Sequence, residues 1–242
     1  LAPAVDGFLV GSSLMAMDNN LYNDIDLACR KLIFGNNKVC GLTAPEYAIS
    51  AAESGAQYGG LIFADKSPRK VTKEQAKNII NSKSYLDYVG VFVNHNVADI
   101  VDLVKTLKLS AVQLHGNENE DYIKELALQL TQHNCDKCQI WQASPIVDTV
   151  PNLSENVAHH ILDGKTPGSG QAFNWRVLAD SEQDLSNSFL AGGLNSENIN
   201  LALTQLTNLE LFGLDLNSGV ESSPGIKCST KLNEVFAQIR NY

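Results

Sequence analysis

Cys40 and Asp163 are the side chains whose placement offers acid–base chemistry. Cys40 closes the run Lys38-Val39-Cys40 and leads into Gly41-Leu42-Thr43; Asp163 closes His159-His160-Ile161-Leu162-Asp163, ahead of Gly164-Lys165-Thr166-Pro167-Gly168-Ser169-Gly170. A cysteine abstracts a proton only as thiolate, which a nearby ammonium favours, and strand alternation puts Lys38 on the same side as Cys40. Cysteine is also among the most buried residue types, so residue type alone leaves burial and catalysis both open. A carboxyl at Asp163 suits a helix cap or a general acid of raised pKa. The glycine-rich stretch beside it suits a substrate lid or a plain surface loop.

Further candidates stand at comparable places. Arg69, in Lys66-Ser67-Pro68-Arg69, offers a planar fork to a carboxylate, although most loop arginines are merely solvated. His115 and Asp215 each end or nearly end an apolar run. Ala191-Gly192-Gly193-Leu194 and Asn217-Ser218-Gly219-Val220-Glu221 are glycine-bearing loops whose backbone N–H groups suit a phosphate. Cys135-Asp136-Lys137-Cys138 is a single pair lying before a strand, which fits neither a redox motif nor a zinc site. His159 and His160 point to opposite sides of a strand and cannot share a metal, so no metal site is expected.

The elements that must position these residues repeat as strand then helix. From Lys38 onward, strands are expected at 37–42, 58–63, 88–93, 111–115, 139–143, 159–163, 188–191 and 211–216. Helices are expected after Thr43 and Thr72, each a capping box, then at 98–107, 121–130 and 230–240. A weakly helical stretch with Pro145 and Pro151 follows strand five. Alternating strands and helices imply a parallel sheet, and eight units in about 205 residues imply a closed (β/α)8 TIM barrel. In that fold working residues lie at the C-terminal strand ends, with phosphate often held after strands seven and eight. Residues 1–34 hold a ninth unit: the run Phe8 to Met15, then apolar Leu21, Ile25, Ala28, Cys29 and Leu32 at helical spacing, stopped by Gly35. This unit is expected to be the last strand and helix of a preceding barrel, or else a cap on the barrel floor. Residues 35–242 form the barrel itself.

Composition excludes several functions. A net charge of −9 and 18 basic residues in 242 leave no basic stripe for nucleic acid. Five irregularly spaced cysteines fit a reducing cytosol better than a disulfide framework. No apolar run approaches about 18 residues and no signal sequence opens the chain, so no membrane partner is expected.

Taken together the motifs resemble the phosphoribosylanthranilate isomerase family of tryptophan biosynthesis. The resemblance rests on Lys38 to Thr43, Gly60 to Phe63 with Ser67-Pro68-Arg69, Val89 to Phe92, Val112 to Gly116, Leu162-Asp163, Gly168-Ser169-Gly170, Phe173-Asn174-Trp175, Leu190 to Leu194, and Asp215 to Gly225. It implies an Amadori rearrangement of N-(5-phosphoribosyl)anthranilate, a small phosphorylated substrate, without metal or organic cofactor. Asp163 would be the acid and Cys40 the base. Arg69 would hold the anthranilate carboxylate; Gly192, Gly193, Ser218 and Gly219 the phosphate; His115 and Asp215 would be further substrate contacts. Residues 1–34 are similar to the end of an indole-3-glycerol phosphate synthase, which implies covalent fusion to that enzyme and a monomer. The chain departs from the family pattern at Pro167, which should stiffen the lid, and at Asn174 and Cys228, where Asp is expected. Cys228 should lack a helix-capping carboxylate worth about 1 kcal/mol. A related lyase or synthase would need lysine and glutamate at the strand ends, and a phosphate-binding barrel without activity would not need both Cys40 and Asp163.

Overall fold

Eight short strands, most of their residues buried, close on themselves in chain order. The computed structural model describes residues 21–164 and 174–240, residues 21–25 and Arg240 by backbone alone. Strands β1 (Lys38–Val39), β2 (Tyr58–Ile62), β3 (Asp87–Phe92), β4 (Ala111–Leu114), β5 (Gln139–Ile146), β6 (His159–Gly164), β7 (Ser188–Leu190) and β8 (Gly213–Leu216) form one closed parallel barrel. Helix α1 (Leu21–Phe34) precedes β1. Helices α2 (Pro45–Ser54), α3 (Lys73–Ile80), α4 (Val97–Leu107), α5 (Glu120–Gln132), α6 (Arg176–Ala179), α7 (Ile199–Gln205) and α8 (Ser229–Arg240) follow in order. The expected barrel is present.

Strand alternation divides the core in two. Val39, Leu61, Val112, Leu114, Leu162, Leu190, Leu214 and Leu216 face outward and pack with helix residues such as Ala48, Ile100, Leu126 and Val235. Val89, Ala111, Trp141, Ile161 and Phe189 face inward and fill the barrel with Tyr58 and Phe212. Cys40, Ile62, Ala64 and Val91 form a smaller cluster above them. His159 lies in the inner aromatic layer, its ring 3.8 Å from that of Phe212, while His160 turns to Ser144 Oγ and the Ser154 carbonyl. The two histidines therefore diverge, as expected.

Several local expectations need correction. Thr72 and Gln75 do form a capping box at α3. Thr43 caps nothing: α2 starts at Pro45 behind Ala44, and Thr43 Oγ1 instead donates to the Gly225 carbonyl at 2.5 Å. The stretch after strand five is not helical. β5 runs on through Pro145 to Ile146 because Pro145 pairs with Asp163 there, and residues 147–158 follow as turns and irregular chain. A hairpin of β9 (Glu221–Ser223) and β10 (Ile226–Lys227), unexpected from the sequence, follows the 3-10 turn Ser218–Val220. Cys228 stands directly ahead of α8 with its backbone N–H on the Val220 carbonyl. The expected strand at 8–15, Pro167 and the rest of the stretch 165–173 lie outside the described residues.

Helix α1 is docked on the floor of the barrel. Arg30 is buried and donates to the carbonyls of Ala56 at 2.9 Å and Ser84 at 3.1 Å, just ahead of β2 and β3, and it also pairs with Asp26. Phe34 meets Phe236 of α8 edge-on, ring centres 5.8 Å apart. Arg30→Met strands two carbonyls in a buried seam, so the expected loss is about 2–3 kcal/mol in a denaturant titration, with kcat unchanged.

Candidate active site

All eight strands are parallel, so every strand end carrying a candidate residue opens on one rim. The rim is built around a buried ion pair. Lys38 on β1 lies opposite Asp215 on β8 across the seam that closes the barrel, and its ammonium meets Asp215 Oδ2 at 2.6 Å. Lys38 is fully buried and Asp215 is 8% exposed. Burial lowers the Lys38 ammonium, but Asp215, with Cys40 adding to it, more than offsets this and raises it above its ordinary range. The second oxygen, Asp215 Oδ1, is buried and has no hydrogen-bond partner among the described residues.

Cys40 stands two residues beyond Lys38, buried, its backbone N–H on the Leu216 carbonyl at 2.7 Å. The expectation that Lys38 favours the thiolate holds in direction, and the burial that residue type left open opposes it. Lys38 and Lys227 do draw the thiol down, but burial pushes it up more strongly, and Asp215 adds to that, so it sits above the ordinary thiol range. Asp163 near the end of β6 is raised to about 6, first by burial and then by Asp215. The Gly164 N–H on its Oδ1 at 2.8 Å and the Lys38 charge hold it partly down. A carboxyl titrating there can give a proton near neutrality. His115 is pushed toward its neutral form by burial and by Lys38, and its Nδ1 lies 3.1 Å from Gln113 Nε2.

Arg69 is not a solvated loop residue. It is 7% exposed and grips Glu221 of β9 through Nε at 2.9 and 3.1 Å and through Nη2 at 2.7 Å. The phosphate-loop candidates are brought together. Gly192 and Gly193 have positive φ of 86° and 68°, and Gly219 sits so close to the Leu194 carbonyl that any side chain would collide with it. Ser218 opens the 3-10 turn beside it. Asn174 accepts the Arg176 N–H at 3.2 Å, a bond that Asp would make equally well.

Sequence reasoning missed three of these groups: Asp215 as the partner of Lys38, and Glu221 with Lys227 as the setting of Arg69. The signal for the last was Pro224-Gly225, a turn that folds Lys227 back beside Glu221. Cys135 and Cys138 are free thiols at the turn into β5, Cys138 held up to about 12 by burial. Among the described residues no cluster of three or more His, Cys, Asp or Glu could hold a metal ion, and no helix is long and apolar enough to cross a membrane.

Ionising Asp163 in the fold is opposed, so its folded-state pKa near 6 exceeds the unfolded value near 3.8 and stability falls as pH rises through that window. Asp163→Asn removes this cost. The variant should be more stable than the parent by about 1–3 kcal/mol near pH 8, and the gain should vanish below about pH 4 in the same denaturation assay.

The chain matches known proteins along its whole length. The family model described as "N-(5'phosphoribosyl)anthranilate (PRA) isomerase" matches residues 37–238. The tryptophan biosynthesis protein TrpCF of Vibrio parahaemolyticus is 46% identical over 100% of this chain and 48% of its own length; that of Vibrio cholerae is 44% identical over 100% and 49%. The chain thus spans about half the length of these relatives. The crystal structure of phosphoribosyl anthranilate isomerase from Thermus thermophilus superposes with a TM-score of 0.71 at 30% identity, covering 84% of this chain and 97% of that one. A phosphoribosyl anthranilate isomerase in complex with reduced 1-(o-carboxyphenylamino)-1-deoxyribulose 5-phosphate superposes at 0.68 with 26% identity, covering 86% and 100%. With the fold, the rim and these likenesses in agreement, the chain belongs to the N-(5'-phosphoribosyl)anthranilate isomerase family.

Proposed function

We propose that this barrel rearranges N-(5-phosphoribosyl)anthranilate to 1-(2-carboxyphenylamino)-1-deoxyribulose 5-phosphate, with Asp163 as general acid and Cys40 as general base. Asp163 protonates the furanose ring oxygen while the anilino nitrogen pushes its lone pair toward C1, so the C1–O bond breaks and a protonated Schiff base forms. The Cys40 thiolate then takes the proton from C2. The C2–H electrons form a C1–C2 double bond and discharge the iminium nitrogen, giving an enolamine that tautomerises to the ketone. The Schiff base is its own electron sink, so the steps close without a cofactor. Arg69 holds the anthranilate carboxylate, the loops of Gly192-Gly193 and Ser218-Gly219 hold the phosphate, and His115 and Asp215 contact the sugar or the anilino side.

The observation that carries this reading is the pairing of two proton carriers on one rim. Asp163, raised to about 6, and buried Cys40 both feel the charges of Lys38 and Asp215. Two groups whose environments set their proton affinities apart fit an acid and a base for one substrate. The orphaned Asp215 Oδ1 supports a donor on the substrate, such as an N–H or hydroxyl.

Residues 1–34 belong, in this reading, to an indole-3-glycerol phosphate synthase barrel fused ahead of residue 35. Relatives of about twice the length support this. Every group named above lies on one barrel, which supports a monomer as the working unit.

Cys40→Ser and Asp163→Asn should each lower turnover of phosphoribosylanthranilate by about a thousandfold or more while both variants melt cooperatively. Full activity in either variant would remove that residue from its role. Arg69→Ala should raise KM about tenfold or more with a smaller change in kcat. Unchanged kinetics would take Arg69 out of the site.

A further inference from the structure

Three charges, on Arg69, Glu221 and Lys227, meet beside Cys40 without themselves carrying a proton in the proposed steps. Glu221 Oε1 accepts from Lys227 Nζ at 2.7 Å, while both its oxygens accept from Arg69. Burial would raise the Glu221 carboxyl, but Arg69 and Lys227 together hold it below the ordinary carboxylate range. Lys227 is 5% exposed and also donates to Asn217, to the carbonyl at 3.1 Å and to Oδ1 at 3.0 Å. Asn217 directly precedes the Ser218–Val220 turn. One network therefore joins the hairpin, the arginine and the loop after β8.

The arginine is held in a single pose. Its Nε and Nη2 are both given to Glu221, and its Nη1 has no hydrogen-bond partner among the described residues. Its aliphatic stem lies over Gly41, where a Cβ would come within 2.7 Å of Arg69 Cδ, and Gly41 has φ of 72°. The chain thus makes room for Arg69 directly after Cys40. A buried guanidinium with two nitrogens fixed and one uncommitted has a defined direction for a further acceptor.

We infer that Glu221 and Lys227, on the β9–β10 hairpin, are positioning residues for carboxylate recognition. Glu221 orients Arg69 so that Nη1 meets the carboxylate of the substrate's aromatic ring. Lys227 balances the carboxylate charge and ties this clamp to the loop after β8. The inference rests on the function proposed above and assigns the substrate's carboxyl selectivity to a hairpin outside the barrel wall. Without Glu221 the guanidinium keeps its charge but loses its orientation, so the site still takes the substrate and no longer distinguishes the carboxyl group.

The test compares two ligands by calorimetry: reduced 1-(o-carboxyphenylamino)-1-deoxyribulose 5-phosphate and its phenylamino counterpart without the carboxyl. The parent chain should bind the carboxylated ligand more tightly. In Glu221→Gln that preference should fall about tenfold, while affinity for the phenylamino ligand stays within about twofold. Should this variant not fold, Glu221→Gln/Lys227→Met removes one charge of each sign together and should show the same loss. Glu221→Asp, which keeps the charge, should restore part of the preference. A folded variant that retains the parental preference, or loses both ligands equally, overturns the inference. If the parent binds neither ligand and does not turn over phosphoribosylanthranilate, the proposed function fails instead.

Discussion

The Lys38–Asp215 pair is the constraint on which the working end of the molecule depends. It spans the seam where β8 meets β1, so it closes the barrel and charges the site through the same 2.6 Å contact. Its field reaches Cys40 at the end of the same strand, and Asp163 and His115 at two other places around the rim. Removing either partner would leave an unpaired charge in an apolar wall, a loss of about 3–5 kcal/mol. The barrel keeps the pair because neither charge can leave alone.

The pair also sets how the acid and base share protons. Burial holds the Cys40 thiol high, and Asp163 is raised to only about 6, so the resting site holds a carboxylate and a neutral thiol. The mechanism proposed above needs that proton on Asp163 and the thiolate on Cys40. Both forms contain the same number of protons, so their ratio does not change with pH between the two titrations. Lys38, with Lys227 beside it, lowers the cost of moving the charge to sulfur. That mechanism therefore uses a minor arrangement of one proton rather than a preformed thiolate.

The barrel was legible because its signal is periodic. Apolar strands recur along the chain and each candidate residue falls at a strand end, so topology placed Cys40, Arg69, His115, Asp163, Asp215 and the two glycine loops on one rim. What escaped was set by contacts distant in sequence. Thr43 reads as a helix cap until Gly225, 182 residues on, claims its hydroxyl. The prolines after strand five look like breakers of a weak helix, whereas Pro145 extends β5 against Asp163. The hairpin that fixes Arg69 has strands of three and two residues, too short for alternation to reveal. The balance at Cys40 stayed open in the sequence because a neighbouring ammonium is visible there and the depth of burial is not.

The pH dependence of kcat/KM tests this account most directly. A pair sharing one proton predicts a level profile between about pH 6, where the pair gains a second proton on Asp163, and a point above the ordinary thiol value of 9.0, where Cys40 loses its own. Activity should fall by one proton on each side. A profile that declines steadily from about pH 6 upward would mean that Asp163 simply loses its proton and no partner supplies it, and the shared-proton account would be wrong.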